Sequence, residues 1–194
     1  MTSSRRHGLF SIVQTEPTPD FTARLAPSMG GDSHPFLDHG LESAWSPDGK
    51  KIVYHTGAPG DPIFIADRDG RDPKQIFVEE NGLHCHFLVW SPDGRFIYFV
   101  KGNVNASPPD LDIWRIPSSG TASKPERMTF YNSRVAYPAW LDSRTLIYSG
   151  TSEDGAGQWL YAMDVEHRIP HRVSSGISER EGADRGKLFC YPMS

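Results

Sequence analysis

The chain has 194 residues, enough for one large domain or two small ones with a real core, and carries 20 basic against 24 acidic side chains for a net charge of -4. That balance argues against a general polyanion binder, so nucleic acid is not an expected partner. No run approaches the roughly 18 consecutive apolar residues that a membrane-spanning helix needs, and no membrane-spanning segment is expected.

Met1 to His7 is basic, but the apolar run behind it, Leu9–Val13, stops at Gln14-Thr15-Glu16-Pro17 and is too short for a secretory signal. Leu9–Val13 and Phe21–Leu25 instead read as two short strands. Next come a strand over Glu42–Trp45, the turn Ser46-Pro47-Asp48-Gly49, and strands over Lys51–His55, Pro62–Asp67 and Pro73–Val78. The pattern then starts again. Cys85–Trp90 leads into Ser91-Pro92-Asp93-Gly94, followed by Arg95–Val100, Leu111–Ile116 and Pro125–Thr129. A third copy runs from Ala136–Trp140 through Thr145–Ser149, Gln158–Asp164 and Pro170–Ser174, with a turn that has lost both Pro and Gly. Trp45, Trp90 and Trp140 recur at spacings of 45 and 50 residues, which suits a four-stranded blade of a β-propeller. The extra length of the second copy falls in the Gly/Asn/Ser/Pro-rich stretch from Gly102 to Asp110.

The turn chemistry has a mechanism. In Trp-Ser-Pro-Asp-Gly, Pro presets φ for the first central position, Asp suits the second, and Gly takes the left-handed position that returns the chain antiparallel. Several strands are apolar on both faces, as in Ile63-Phe64-Ile65-Ala66 and Phe96-Ile97-Tyr98-Phe99-Val100. Burial of both faces is expected when each sheet is sandwiched between two neighbours. The expected fold is therefore all-β, a single propeller region with about three full four-stranded antiparallel blades at 42–78, 85–129 and 136–174. Partial blades are expected at 9–26, as the two outer strands of a preceding blade, and at 177–191, where Ala183–Phe189 reads as a decayed turn and strand. The blade count favours a piece of a larger ring over closure of a four-bladed one.

His84-Cys85-His86 is the most pointed constellation for chemistry. Residues two apart on a strand share a face, so His84 and His86 could reach one metal ion. A further ligand would have to come from another blade, and none is identifiable by spacing. The default reading is a polar strand start at the mouth of the channel, with no metal and no cofactor. Asp48 and Asp93 recur because the turn needs them, and are not expected to act as a catalytic pair. Phe64, Trp114 and Tyr161 fall at matching positions of successive blades, which favours packing between blades over ligand stacking. Arg115 interrupts an apolar strand, as either an exposed edge residue or a partner contact. Cys85 and Cys190 form no metal or redox motif; they read as buried thiols, with a disulfide between them left open.

The intact Trp-Ser-Pro-Asp-Gly-[Lys/Arg] turns, with Ile63-Phe64-Ile65-Ala66-Asp67-Arg68-Asp69-Gly70 after the first, resemble the repeat of the TolB-like, WD-repeat-like propeller family across roughly Ser43 to Ser174. The third copy, with Asn132–Trp140 and Trp159–Glu166, is similar to propellers attached to bacterial serine/threonine kinases or winged-helix regulators. The resemblance implies a non-catalytic scaffold or sensor that binds a protein, peptide or small ligand at the channel mouth, in a periplasmic or other extracytoplasmic setting. It carries no catalytic residue: kinase motifs, the Gly-x-Ser-x-Gly elbow, a Walker loop and a dinucleotide fingerprint are all missing from the sequence. The alternative is the propeller portion of an enzyme, either a prolyl-oligopeptidase-like hydrolase or a metal-dependent polyuronide lyase.

Overall fold

The computed structural model describes residues 7–12, 22–27, 31–79, 83–103, 105–107, 110–120, 124–130, 134–151 and 157–173. Among these, four antiparallel sheets follow one another along the chain. The first holds β1 (His7–Ile12), β2 (Thr22–Pro27) and β3 (His34–Asp38). The second holds β4 (Gly40–Trp45), β5 (Lys51–Thr56), β6 (Ile63–Asp67) and β7 (Lys74–Phe77). The third holds β8 (His84–Trp90), β9 (Phe96–Asn103), β10 (Asp110–Pro117) and β11 (Glu126–Arg127). The fourth holds β12 (Ala136–Trp140), β13 (Thr145–Thr151), β14 (Gln158–Asp164) and β15 (Pro170–Arg172). Within each sheet the strands pair in sequence order. The three four-stranded sheets match the three repeats.

Neighbouring sheets approach one another through their first two strands: β4 and β5 pack on β8, and β8 and β9 pack on β12. The sheets therefore fan out from a line of first strands, which is the blade arrangement of a propeller. The N-terminal sheet differs from the sequence expectation. It has three strands instead of two, and β1 and β2 pack on β4 as β4 and β5 pack on β8. They thus stand in the inner positions of a blade, not the outer ones; β3 carries little strand signal because His34-Pro35-Phe36-Leu37-Asp38 is short and Pro-interrupted. The expected partial blade at 177–191, with Cys190, lies outside the described residues.

The strands that are apolar on both faces behave as the sandwiching argument requires. Along β9, Ile97 and Phe99 join one buried cluster with Val53, Ile63, Cys85 and Ile116, between the second and third sheets. Tyr98 and Val100 join another with Leu111, Ile113, Leu146, Tyr148 and Met163, between the third and fourth. Along β5, Val53 goes to the first of these clusters while Ile52 and Tyr54 face a separate core with Ala23 and Leu37. One strand thus feeds two cores by simple alternation. Phe64, Trp114 and Tyr161 sit at the same register, opposite Tyr54, Phe99 and Tyr148. Each packs against a different inter-sheet core, as expected for packing residues.

The turns repeat atom for atom. In the first, the Gly49 amide donates to the Ser46 carbonyl at 2.8 Å, and Gly49 takes φ 67°. The Ser46 hydroxyl donates to Asp48 Oδ1 at 2.7 Å and accepts from the Lys51 amide at 2.9 Å, while the Lys50 amide donates to Asp48 Oδ1 at 3.1 Å. The second reproduces this with Ser91, Asp93, Gly94, Arg95 and Phe96. In the third, Asp142 accepts both the Arg144 and Thr145 amides at 2.7 Å, so one carboxylate replaces the lost Pro-Asp-Gly arrangement. The repeat tryptophans sit between sheets: Trp90 Nε1 donates to the Ala44 carbonyl at 3.0 Å, and Trp140 packs edge-on against Tyr98 at 5.0 Å between ring centroids.

Candidate functional site

Each of the three first strands carries the same irregularity. Pairing slips between Leu41 and Ala44 in β4, between His86 and Val89 in β8, and between Ala136 and Ala139 in β12. At each slip the residue three before the repeat tryptophan is left-handed: Glu42 at φ 43°, Phe87 at 58° and Tyr137 at 53°. None is glycine, so each costs about 1–3 kcal/mol of backbone strain. A bulge re-aims the side chains around it, and here it makes the three equivalent residues meet. Glu42 Oε2 accepts the Phe87 amide, and the Phe87 ring lies 4.5 Å from that of Tyr137, centroid to centroid. Tyr137 is 61% exposed and carries the row to the surface.

Around this row three histidines and two carboxylates converge. Glu42 Oε2 stands 3.5 Å from His55 Nε2 and 3.7 Å from His86 Nδ1. Asp61 Oδ2 stands 3.0 Å from His84 Nδ1 and 3.7 Å from His86 Nε2, and accepts the Cys85 amide at 3.1 Å. His86 therefore lies between the two carboxylates, one ring nitrogen toward each, with His55 edge-on at 5.2 Å and His84 stacked at 5.6 Å. His55 and Asp61 are buried; Glu42, His84 and His86 are partly exposed. The loop between β5 and β6 places Asp61. Gly60 takes φ 83°, where a Cβ would sit 2.1 Å from the Glu79 carbonyl oxygen, and the Asp61 amide donates to the Ala58 carbonyl at 2.9 Å.

The electrostatics follow from these contacts. Burial alone would raise the Glu42 carboxyl, but His55, His86 and the Phe87 amide hold it down to about 2. The Glu42 carboxylate raises His86, against the effect of burial. Cys85 is pushed up to about 12 by burial and by the nearby Glu79 and Asp61 carboxylates, so its thiol stays protonated and is inert as a nucleophile.

His84 and His86, the pair singled out in the sequence, are thus brought together with groups that spacing could not identify: Glu42, His55 and Asp61, all from the preceding sheet. The two turns lie beyond the opposite ends of β4 and β8. There Asp48 and Asp93 line one wall-to-wall groove of about 790 Å³ with Lys51, Lys74 and Trp90. Each is committed to its own turn amides, as expected. Arg115 is held within its own sheet, bonded to Glu126 at 2.8 Å and lying 4.5 Å over the Phe96 ring.

No protein-family profile matches the chain. A stretch of 73 residues is 34% identical to the mouse (Mus musculus) prolyl endopeptidase FAP, covering 30% of this chain and 10% of that protein. Among solved structures, the putative TolB of Agrobacterium tumefaciens superposes with a TM-score of 0.66 at 22% identity, over 86% of this chain and 63% of that one. TolB of Acinetobacter baumannii gives 0.66 at 23% identity, over 81% and 39%. An oligogalacturonate lyase in complex with manganese gives 0.58 at 15% identity, over 85% and 45%. The chain therefore spans less than two thirds of the length of these proteins. At such identities the likeness establishes the fold, and the chain is an all-β protein of four-stranded antiparallel sheets built like the TolB-type β-propellers.

Proposed function

We propose that the chain is a binding segment of a β-propeller, whose recognition surface is the inner rim where the first strands of successive blades meet. The observation that carries this reading is the row Glu42–Phe87–Tyr137. Three strained, equivalent residues from three blades touch one another and end in an exposed aromatic ring beside a histidine–carboxylate cluster. Strain repeated at one position of each blade stabilises nothing by itself, and such strain gathers where a surface is shaped for a ligand. A ring plus a mixed-charge pocket suits a polar peptide or a small ligand that stacks an apolar part on Tyr137. The fold likeness to TolB supports a scaffold role, and the resemblance of Asn132–Trp140 and Trp159–Glu166 to kinase-linked propellers is the ground for a sensor attached to a kinase or regulator.

A photo-crosslinking residue at position 137 tests this in the native cell. Capture of a defined ligand at 137, lost in Glu42→Gln and not seen with the same probe at Lys74 on the outer strand β7, is the expected result. Equal capture at both positions would remove the rim as the binding surface.

One observation favours a second reading, in which these blades belong to a peptidase: the 34% identity over 73 residues to a prolyl endopeptidase. The mass of the native protein decides between them. A band large enough to hold a hydrolase domain, with activity on a proline-containing peptide, would support the peptidase; a band near 21.7 kDa would not.

A further inference from the structure

We propose that Glu42, His55 and His86 form a binding site for one divalent transition-metal cation, held by two imidazole nitrogens and one carboxylate with its remaining positions open to solvent or ligand. The inference deepens the rim-binding reading, since it assigns chemistry to the same cluster.

His55 carries the argument. Its ring is 1% exposed, and Nδ1 lies 3.2 Å from the Thr56 carbonyl oxygen. A carbonyl only accepts, so Nδ1 bears the hydrogen, and in the neutral ring Nε2 is a bare lone pair. That buried Nε2 has no hydrogen-bond partner and faces a carboxylate oxygen, Glu42 Oε2, at 3.5 Å. A lone pair and a carboxylate oxygen set against each other are relieved by a positive charge placed between them, and a metal cation can take that place where a proton on Nε2 otherwise would. The fixing of one imidazole nitrogen by a backbone carbonyl, which frees the other as a ligand, is the usual way metal-binding histidines are oriented.

The third ligand has the same support. His86 turns Nδ1 toward Glu42 Oε2 at 3.7 Å and Nε2 toward Asp61 Oδ2 at 3.7 Å. Asp61 is buried, so a carboxylate backs the imidazole from behind. Ligands about 2.0–2.2 Å from a tetrahedral cation stand about 3.4 Å apart. The two imidazole-to-carboxylate separations, 3.5 and 3.7 Å, are within a few tenths of an ångström of that, and the three donor atoms all lie within 4.8 Å of one another. Nitrogen and carboxylate donors together suit zinc, manganese or iron better than calcium or magnesium. Partial exposure of Glu42 and His86 leaves a path in.

A second set of groups, Asp61, His84 and His86, is also close enough to share an ion. It is the weaker one, because none of its nitrogens is a buried atom without a partner as His55 Nε2 is, and His84 Nδ1 is already bonded to Asp61 Oδ2 at 3.0 Å. His84 acts there as a partner of Asp61, outside the coordination sphere.

The test is a titration of the chelator-stripped chain with Zn²⁺, Mn²⁺ and Co²⁺ alone, with bound metal counted by elemental analysis and Co²⁺ followed by its ligand-field absorption. One cation per chain is expected. Glu42→Gln and His86→Ala should weaken it by tenfold to a hundredfold or more, whereas His84→Ala stays within about threefold of the parent chain. Nitrogen-15 resonances of histidine give a readout that needs no variant to fold: Zn²⁺ should shift His55 Nε2 and leave its Nδ1 protonated. The proposal is overturned by a folded chain that binds none of the three cations below about 1 mM, by His84→Ala losing as much as His86→Ala, or by a His55 Nε2 resonance that Zn²⁺ leaves unmoved. Crosslinking at position 137 is run with and without chelator, so the rim reading and the cation site can fail separately.

Discussion

The Glu42 carboxylate accepts the backbone N–H of Phe87, the residue that holds the same place in the next blade. Both are left-handed, and both sit three residues before a repeat tryptophan. One bulge therefore satisfies the amide that the next bulge frees from its ladder. The contact joins β4 to β8 at the same point where the histidines gather, so the geometry of the candidate site and the docking of two blades depend on one side chain.

Glu42→Ala removes the acceptor and leaves the Phe87 amide without its partner. A loss of about 1–3 kcal/mol is expected, the range for stranding a buried donor. Glu42→Gln keeps an oxygen in place and should recover more than half of it, while losing the charge on which cation binding relies. Urea unfolding of both variants separates the two roles.

Asp112 is 1% exposed and lies between the Arg127 guanidinium, which bonds it directly, and the Thr129 hydroxyl, which donates to it at 2.5 Å. Thr129 in turn accepts the Ile113 amide at 3.0 Å. This group pins the outer edge of the third sheet, where β11 is only two residues long. Asp112→Ala should cost about 2–3 kcal/mol, because it takes a buried acceptor from the Thr129 hydroxyl and from a guanidinium that keeps its bond to the Thr129 carbonyl. Asp112→Asn, which keeps one acceptor, should cost less. Equal effects of the two substitutions in thermal unfolding would mean that the charge matters and the oxygen does not.

The turn carboxylates contribute, with Glu42, to the loss of stability in acid. The Ser91 hydroxyl and the Arg95 amide hold Asp93 at about 2, and Asp48 and Asp142 are lowered by the same kind of bonds. A carboxyl lowered in the folded state stabilises fully above its ordinary value near 3.8, and that contribution is lost as pH falls toward the folded value. Melting temperature should therefore drop between about pH 4 and 2, more shallowly in Asp93→Asn, which keeps the oxygen but does not titrate. An unchanged slope in that variant would assign the acid limit to other groups.

The sequence made the sheets legible because two signals agreed. The Trp-Ser-Pro-Asp-Gly turn names its own hydrogen bonds, and β9 is apolar at consecutive positions because Phe99 and Tyr98 face different cores. His84 and His86 were visible as a strand pair. Glu42, His55 and Asp61 were not, for a physical reason. Glu42 reads as one polar residue in an ordinary strand until the bulge turns it toward β8, and bulges leave no mark when the left-handed residue is Glu, Phe or Tyr instead of Gly. Asp61 reads as a loop residue, since only the fold carries the β5–β6 loop to β8. His55 looks like the polar end of a strand, and its burial depends on the neighbouring blade.

Tyr137 offers the sharpest separation of binding from stability. Its side chain is 61% exposed, so its removal forfeits little burial beyond the Phe87 contact, while its φ of 53° suits glycine far better than tyrosine. Relief of strain and loss of the ring contact are both of the order of 1 kcal/mol and oppose each other. Tyr137→Gly should thus change unfolding free energy by less than about 1 kcal/mol, in either direction, yet abolish binding of the ligand identified by crosslinking, measured on the purified chain. Phe87→Gly relieves similar strain but removes a ring packed against the core between the third and fourth sheets, and should destabilise by about 2–4 kcal/mol. Two equivalent positions would then respond differently, one kept for packing and one for contact. A Tyr137→Gly chain that loses as much stability as Phe87→Gly would make Tyr137 a structural residue and leave the rim without its aromatic anchor.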